Sequence, residues 1–304
     1  MPSAQPVFGI GASDPRRSWP DTVALVLHAE RLGYGSVCMW DHPNFAGIDV
    51  QTGLAALAQA TTRIKLWTNV MSVPYRPPSI MAKFAASLDR ISGGRLILGL
   101  GTGWDEAEFR ALGIPFHGKS IRNRQLIDAI NIARAMWTQQ RASYRGETWS
   151  IEDVVCEPKP VQQPGPPIWV GTHGGPKMMR EVVVPLADGV NIGIPSSPQA
   201  PPVQVIASSL RALCTEAGRD PASLTISVNT LILGRTEGSS LEEMYSGHLG
   251  EQKVMHIGER QRIVDHIGEL HEAGVTHFMM AVRGSNAIAD CSELKEVLAP
   301  FHSS

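Results

Sequence analysis

Residues 88–116 read LDRISGGRLILGLGTGWDEAEFRALGIPF, and three elements of structure follow one another within that run. A helix opened by Pro78 is stopped by Ser92-Gly93-Gly94, since glycine supplies the left-handed conformation that closes a helical turn. Residues 95–100 are then largely apolar on both alternating faces, as a strand buried inside a parallel sheet should be. Residues 106–112 return to helical spacing. Helix, doubly buried strand and helix in direct succession form one unit of an alternating α/β fold.

The same alternation extends in both directions. Strands are predicted at 7–10, 36–40 and 64–70 before this run, and at 168–171, 189–191, 224–233 and 277–282 after it. Helices fall between them: from Pro20 to Gly33, at 54–60, 78–91, 121–138, 178–186, 203–217 and 261–273, and last near 292–298. Residues 144–156 read as a small hairpin. Eight strands interleaved with helices predict a (β/α)8 TIM barrel of the α/β class, one domain over residues 1–304 with insertions in the loops at the carboxyl ends of the strands. A doubly wound sheet fits less well, because it usually needs fewer strands and a nucleotide-binding first turn. The polar, glycine-rich segment 236–258 is expected to lie over the carboxyl face, where barrel active sites are built.

The 304 residues carry 27 basic and 29 acidic side chains, a formal net charge of -2, which offers no electrostatic footprint for nucleic acid or for an anionic membrane surface. Hydrophobic residues at 43% and charged residues at 18% give an ordinary globular balance rather than a disordered one. No run of about 18 apolar residues asks for a membrane span. The amino terminus has no charged start followed by an apolar stretch, so no secretory signal is expected. Cys38, Cys156, Cys214 and Cys291 stand apart, without metal or redox spacing, and read as core thiols in a reducing compartment. The expectation is a cytoplasmic protein that holds no metal and acts on a small molecule.

Several familiar chemistries are missing: there is no Walker loop, no G-x-S-x-G elbow and no H-E-x-x-H pair. The cluster Gly99-Leu100-Gly101-Thr102-Gly103 departs from a dinucleotide fingerprint, because Trp104 stands where its third glycine belongs. Those glycines suit either a flat ligand close to the backbone or a tight strand-to-helix turn. Asp41 and His42 directly follow the second strand and should sit on the carboxyl face. There His42 could exchange a proton near neutral pH, or serve merely as a structural histidine beside a capping aspartate. Asn69 and Val70 end the third strand in the same layer. Gly171-Thr172-His173-Gly174-Gly175 precedes a helix start at Pro176, either an anion nest or a plain loop. Arg283 ends the last strand, near where barrels often bind phosphate, and Trp104 follows the glycine cluster.

In order and spacing, residues 88–116 resemble the signature of the luciferase-like flavin and deazaflavin oxidoreductases. AERLGYGSVCMWDH at 29–42, RIKLWTNV at 63–70, EPKPVQQPGPPIWVG at 157–171 and IGERQRIVDHIGELHEAGVTHF at 257–278 resemble it too. The resemblance implies a (β/α)8 barrel that binds coenzyme F420 or FMN at its carboxyl end. The DH after the second strand and the GTGW after the fourth look closer to the F420-dependent branch. By that resemblance the chain is an F420-dependent oxidoreductase that moves a hydride between the deazaflavin C5 and a small substrate; the alternative is an FMN-dependent monooxygenase. His42 is then the catalytic proton donor or acceptor, and Asp41 lies at the cofactor ring. Asn69-Val70 carries a non-prolyl cis peptide whose bulge presses on the ring. Thr102 and Gly103 run along the cofactor's edge, while Gly171, Thr172, Gly174 and Gly175 hold its ribityl and phosphate part. The sugar-phosphate dehydrogenases of this branch have an acidic residue at the position of Trp104. Tryptophan cannot transfer a proton, so Trp104 implies a flatter, more apolar substrate wall, with Arg283 as a further substrate contact. The resemblance also implies a homodimer.

Overall fold

Eight parallel strands close on themselves in chain order: β1 (Val7–Gly11), β2 (Ser36–Met39), β3 (Lys65–Thr68), β4 (Leu96–Gly101), β5 (Ile168–Thr172), β6 (Gly189–Ile192), β7 (Thr225–Leu233) and β8 (His277–Arg283). Each pairs with the next, and β8 returns to β1 through Val7↔His277 and Ile10↔Met280. The structure, a computed structural model, describes residues 5–45, 47–193, 201–234, 254–283 and 286–302. The expected (β/α)8 barrel is therefore observed.

Helices surround the strands because each carries one apolar stripe. Pro78–Ser92 buries Met81, Ala82, Ala85, Ala86 and Leu88, and it ends at Gly93, whose φ of 67° is the left-handed conformation anticipated from Ser92-Gly93-Gly94. Ser18 and Asp49 cap the helices Trp19–Arg31 and Val50–Ala60 by accepting from the backbone N–H groups of Asp21 and Thr52. At the amino end of the barrel, the buried Arg95 joins two helix ends to the sheet. It donates to the carbonyls of Ala58, Thr61, Ile64 and Ser92 and to Thr61 Oγ1, at 2.7–3.0 Å. Among the described residues no helix is long and apolar enough to cross a membrane.

Inside the barrel lies a second, smaller core of Cys38, Trp67, Ile97, Trp169 and Met279. The indoles of Trp67 and Trp169 pack edge to face at 4.9 Å, and His277 stands against both while its Nε2 lies 2.8 Å from Ser36 Oγ. Room for the indoles comes from glycine: a Cβ on Gly189 would meet Trp169 Nε1 at 2.6 Å, and one on Gly99 would meet Trp67 Nε1 at 2.5 Å. This plug closes the amino half of the barrel and leaves the carboxyl half to the site.

Burial pushes the His277 imidazole down from its ordinary 6.5 to about 4. The unfolded chain takes up its proton near 6.5 and the folded one only near 4, so His277 favours folding above pH 6.5 and loses that contribution as the pH falls toward 4. Between pH 7.5 and 4.5 the loss is expected to be about 2–3 kcal/mol. Urea unfolding at the two pH values, for wild type and His277→Gln, isolates it from the carboxylates that both proteins share. Equal pH slopes in the two proteins would rule the effect out.

Several boundaries differ from expectation. β3 stops at Thr68, and after the turn at Asn69-Val70 a two-residue strand, Met71–Ser72, pairs with Leu100 and Gly101. The last helix begins at Ala287, because Ala287, Asp290 and Cys291 all face inward, and a buried aspartate does not read as part of an apolar stripe. Of the segment 236–258, residues up to 253 lie outside those described; Val254–His256 is a short strand beside Leu231–Leu233. The hairpin expected at 144–156 is formed by Ala142–Arg145 and Ser150–Val154.

Candidate active site at the carboxyl mouth of the barrel

At the mouth the strands change character, and otherwise buried runs give way to half-buried positions at Asn69, Val70, Thr102, Gly103, Gly171 and Asn229. The Asn69–Val70 peptide is cis, as the resemblance anticipates. The Val70 side chain lies between two neighbouring strands that carry glycine at that level. A Cβ on Gly101 would stand 2.6 Å from its Cγ2, and one on Gly171 2.9 Å from the same atom. Of the three clustered glycines, Gly99 thus makes way for Thr68 and Gly101 for Val70. Gly103, at a φ of 70°, turns the chain against Phe109. Beneath the bulge three amides form a chain, Asn191 donating to Asn69 and Asn69 to Asn229, each at 2.8 Å.

Asp41 is buried, and its carboxylate is bonded within the chain. Arg76 grips both of its oxygens at 2.6 and 2.9 Å, and the Ser72 backbone N–H donates to it at 2.9 Å. Burial alone would lower the Arg76 pKa, but the bonds to Asp41 and its charge outweigh that and raise it. The pair anchors the segment that leaves the bulge.

The next residue, His42, turns to the helix Glu106–Ala111. Its Nδ1 lies 2.8 Å from Glu108 Oε2, with the imidazole 23% exposed and the Glu108 side chain fully enclosed. Tyr75 donates to the same oxygen at 2.7 Å, and the Asn44 backbone N–H to the other at 3.2 Å. Burial first, and then the Glu108 carboxylate, keep the Tyr75 hydroxyl protonated far above its usual range. Three aromatic rings meet the imidazole edge-on: Trp40 at 6.1 Å, Phe45 at 5.2 Å and Trp104 at 5.8 Å. Trp104 and Phe45 are themselves 63% and 50% exposed, and two large apolar rings left open beside a histidine form a wall that a flat, apolar group can cover.

Glu108 was not among the residues singled out from the sequence. Asp105 caps the helix Glu106–Ala111 by accepting from Ala107 and Glu108 N–H, so Asp105-x-x-Glu108 reads as a capping box whose glutamate turns back on the cap. In the structure it turns inward to His42 instead. The available signal was that Glu108 and Phe109 share the inner side of a very short helix.

The glycine loop at 102–103 is tied down by Arg122, which donates to the carbonyls of Thr102 and Gly103 and lies over the Phe116 ring at 4.1 Å. Across the mouth, Thr172 is buried and its Oγ1 accepts from Gly174 N–H, whose φ is 82°. Gly175 precedes a helical turn from Pro176 that no side chain caps. Nothing lies closer than 3.6 Å to a Cβ built on Gly175, and the nearest atom is Lys119 Nζ. Arg283 ends β8 opposite Leu233, and its side chain lies outside the described residues. Among the described residues no group of three or more His, Cys, Asp or Glu is placed to hold a metal ion.

This donor set suits a flat heteroaromatic ring with a phosphate-bearing tail. Val70 offers an apolar face, Asn69 and Asn229 offer amides at an edge, and the uncapped turn at Gly175 with Lys119 offers donors for an anion.

A sequence profile of luciferase-like monooxygenases matches residues 3–253. An FMNH(2)-dependent dimethylsulfone monooxygenase of Pseudomonas putida is 32% identical over 133 residues, which are 44% of this chain and 36% of that protein. An F420-dependent glucose-6-phosphate dehydrogenase of Intrasporangium calvum is 30% identical over 169 residues, 53% of this chain and 50% of that protein. The chain thus spans half or less of the length of these relatives. The coenzyme F420-dependent tetrahydromethanopterin reductase of Methanopyrus kandleri superposes with a TM-score of 0.81 over 98% of this chain and 99% of that one; at 22% identity this is a likeness of fold. The profile covers most of the chain and the closed barrel agrees with it: the chain belongs to the luciferase-like monooxygenase family of oxidoreductase enzymes.

Proposed function

We propose that the protein is an F420-dependent oxidoreductase acting on a small organic substrate, with His42 as the group that gives or takes the accompanying proton. The observation that carries this reading is the geometry of His42. One nitrogen is spent on a buried carboxylate, and the partly exposed ring stands at the mouth between two open aromatic side chains. Bound there, a deazaflavin would supply the two-electron, hydride-transferring chemistry that no side chain provides. The chain's own residues supply placement and the proton. Val70, seated against Gly101 and Gly171, would support one face of the ring, and Asn69 its polar edge. Thr102 and Gly103 would border it, held in place by Arg122. Gly171, Thr172, Gly174 and Gly175 would receive the phosphate-bearing tail. Asp41 acts one step back by fixing Ser72 and Arg76 behind the bulge. Trp104 would wall the substrate, and Arg283 its far end.

Oxidation of an alcohol shows the division of labour: as the carbon loses a hydride, the hydroxyl proton passes to His42 Nε2, and the reverse reaction returns both. General acid–base catalysis of this kind contributes about 10²–10⁴-fold. A single barrel domain, assembled as a cytoplasmic homodimer, fits this reading.

An FMN-dependent monooxygenase is the second reading. Trp104 in place of an acid and the match to a dimethylsulfone monooxygenase favour it. Titration of the protein with F420 and with FMN, followed by fluorescence quenching, decides between the two. Micromolar binding of F420 with weak FMN binding is expected. Preference for FMN moves the protein to the oxygen-using reading, and binding of neither overturns both.

A further inference from the structure

Glu108 is fully enclosed, and donors surround it on both oxygens. Burying a carboxylate costs several kcal/mol unless such partners repay it. The partners also dictate what the group must be. The Asn44 backbone N–H can only donate, so the oxygen facing it must accept. Tyr75 donates to the other oxygen, and an ionised carboxylate there leaves His42 Nδ1 one role, that of an N–H donor. The second ring nitrogen, Nε2, diverges from that bond on the far side of the imidazole and bonds to no described residue.

We infer that Glu108 is the positioning residue of the site: it fixes His42 as the Nδ1–H tautomer, so that an unprotonated Nε2 lone pair meets the substrate. The inference deepens the role given to His42 above and rests on it for its functional meaning, although the tautomer itself can be observed without cofactor or substrate. Which ring nitrogen carries the proton is set by the bond the other one makes. A tautomer held the wrong way would point an N–H at the substrate and leave nothing to accept a proton.

Glutamine in place of Glu108 tests this sharply, because its amide cannot reproduce two accepting oxygens. With its oxygen kept toward Asn44 N–H, its NH2 faces Tyr75 and His42. The tyrosine hydroxyl can switch to accepting, but His42 Nδ1 can accept only if the proton moves to Nε2. Nitrogen-15 NMR of the histidine side chains at pH 8, assigned with His42→Gln, reads the outcome in the protein alone. Wild type should show His42 protonated at Nδ1 with a bare, pyridine-type Nε2, and Glu108→Gln should exchange the two resonances. Tyr75→Phe, which keeps the carboxylate, should leave the wild-type pattern. A wild-type His42 protonated at Nε2 would overturn the inference even if the glutamine variant failed to fold. So would a folded Glu108→Gln that keeps the Nδ1–H form. Failure of F420 and FMN to bind would instead remove the proposed function and leave the tautomer result standing.

Discussion

Replacing His42 by alanine is expected to lower turnover of the loaded enzyme by about 10²–10⁴-fold, the range that a general acid–base group supplies. The affinity for the cofactor should change little, by about threefold or less, a difference of under about 1 kcal/mol. The separation follows from the position of the ring. His42 is bonded to Glu108 and faced by Trp40, Phe45 and Trp104, whereas the support proposed for the cofactor comes from other residues, Val70, Gly171 and the uncapped turn at Gly175. Removing the imidazole therefore deletes the proton site and spares the cofactor's support. Steady-state kinetics together with a fluorescence titration check both halves. A variant that loses cofactor affinity as severely as turnover would show that His42 belongs to the binding surface, and the proton would need another carrier.

The largest expected effect on stability lies at the opposite end of the barrel. Arg95→Met should cost about 3–5 kcal/mol, because it strips several buried acceptors of one shared donor. Ala58 and Thr61 lie at the end of the helix Val50–Ala60, where carbonyls have no partner in the helix itself. Ser92 closes the next helix, and Ile64 leads into β3. Among the described residues no carboxylate bonds to the guanidinium, and burial, only partly offset by the charge of Glu30, lowers its pKa. Methionine fills much of the same volume and makes none of those bonds, so the loss reports the bonds rather than a cavity. Chemical denaturation with an unchanged slope and a lower midpoint is the expected record. Cofactor binding by the fraction that still folds should match wild type, since Arg95 sits at the far end of the strands from the mouth. A loss below about 1 kcal/mol would mean that water satisfies those carbonyls as well as the arginine does.

The barrel was legible because its signal is local. Residues 95–100 and 168–171 are largely apolar on both faces, and glycine follows the helix ends at 33, 93, 113, 218 and 274, so period and punctuation sufficed. The position of His42, Asn69, Val70 and Gly171 at strand ends was legible for the same reason. What each side chain touches was not, because the partners are remote in sequence. Asp41 is paired with Arg76, 35 positions on, and His42 with Glu108, 66 positions on. Glu108 was further disguised by a local rule that it satisfies in sequence and disobeys in space, the capping box begun by Asp105. The glycine cluster left two readings open, a flat ligand close to the backbone or a tight turn, and its spacing does not show that Thr68 and Val70 occupy the space above Gly99 and Gly101. Composition cannot show from which side a glycine is crowded.

The nesting of Val70 between Gly101 and Gly171 ties a turn residue and positions on two strands into one volume account. Neither glycine can gain a methyl while valine stays, since the new carbon would fall 2.6 or 2.9 Å from Cγ2. Shrinking the middle residue releases both neighbours at once. Natural variation and laboratory libraries should therefore move these sites jointly, an alanine at 101 or 171 arriving with a smaller residue at 70. Randomising any one of them in isolation should return the parent amino acid. The mouth of this barrel is better engineered three residues at a time.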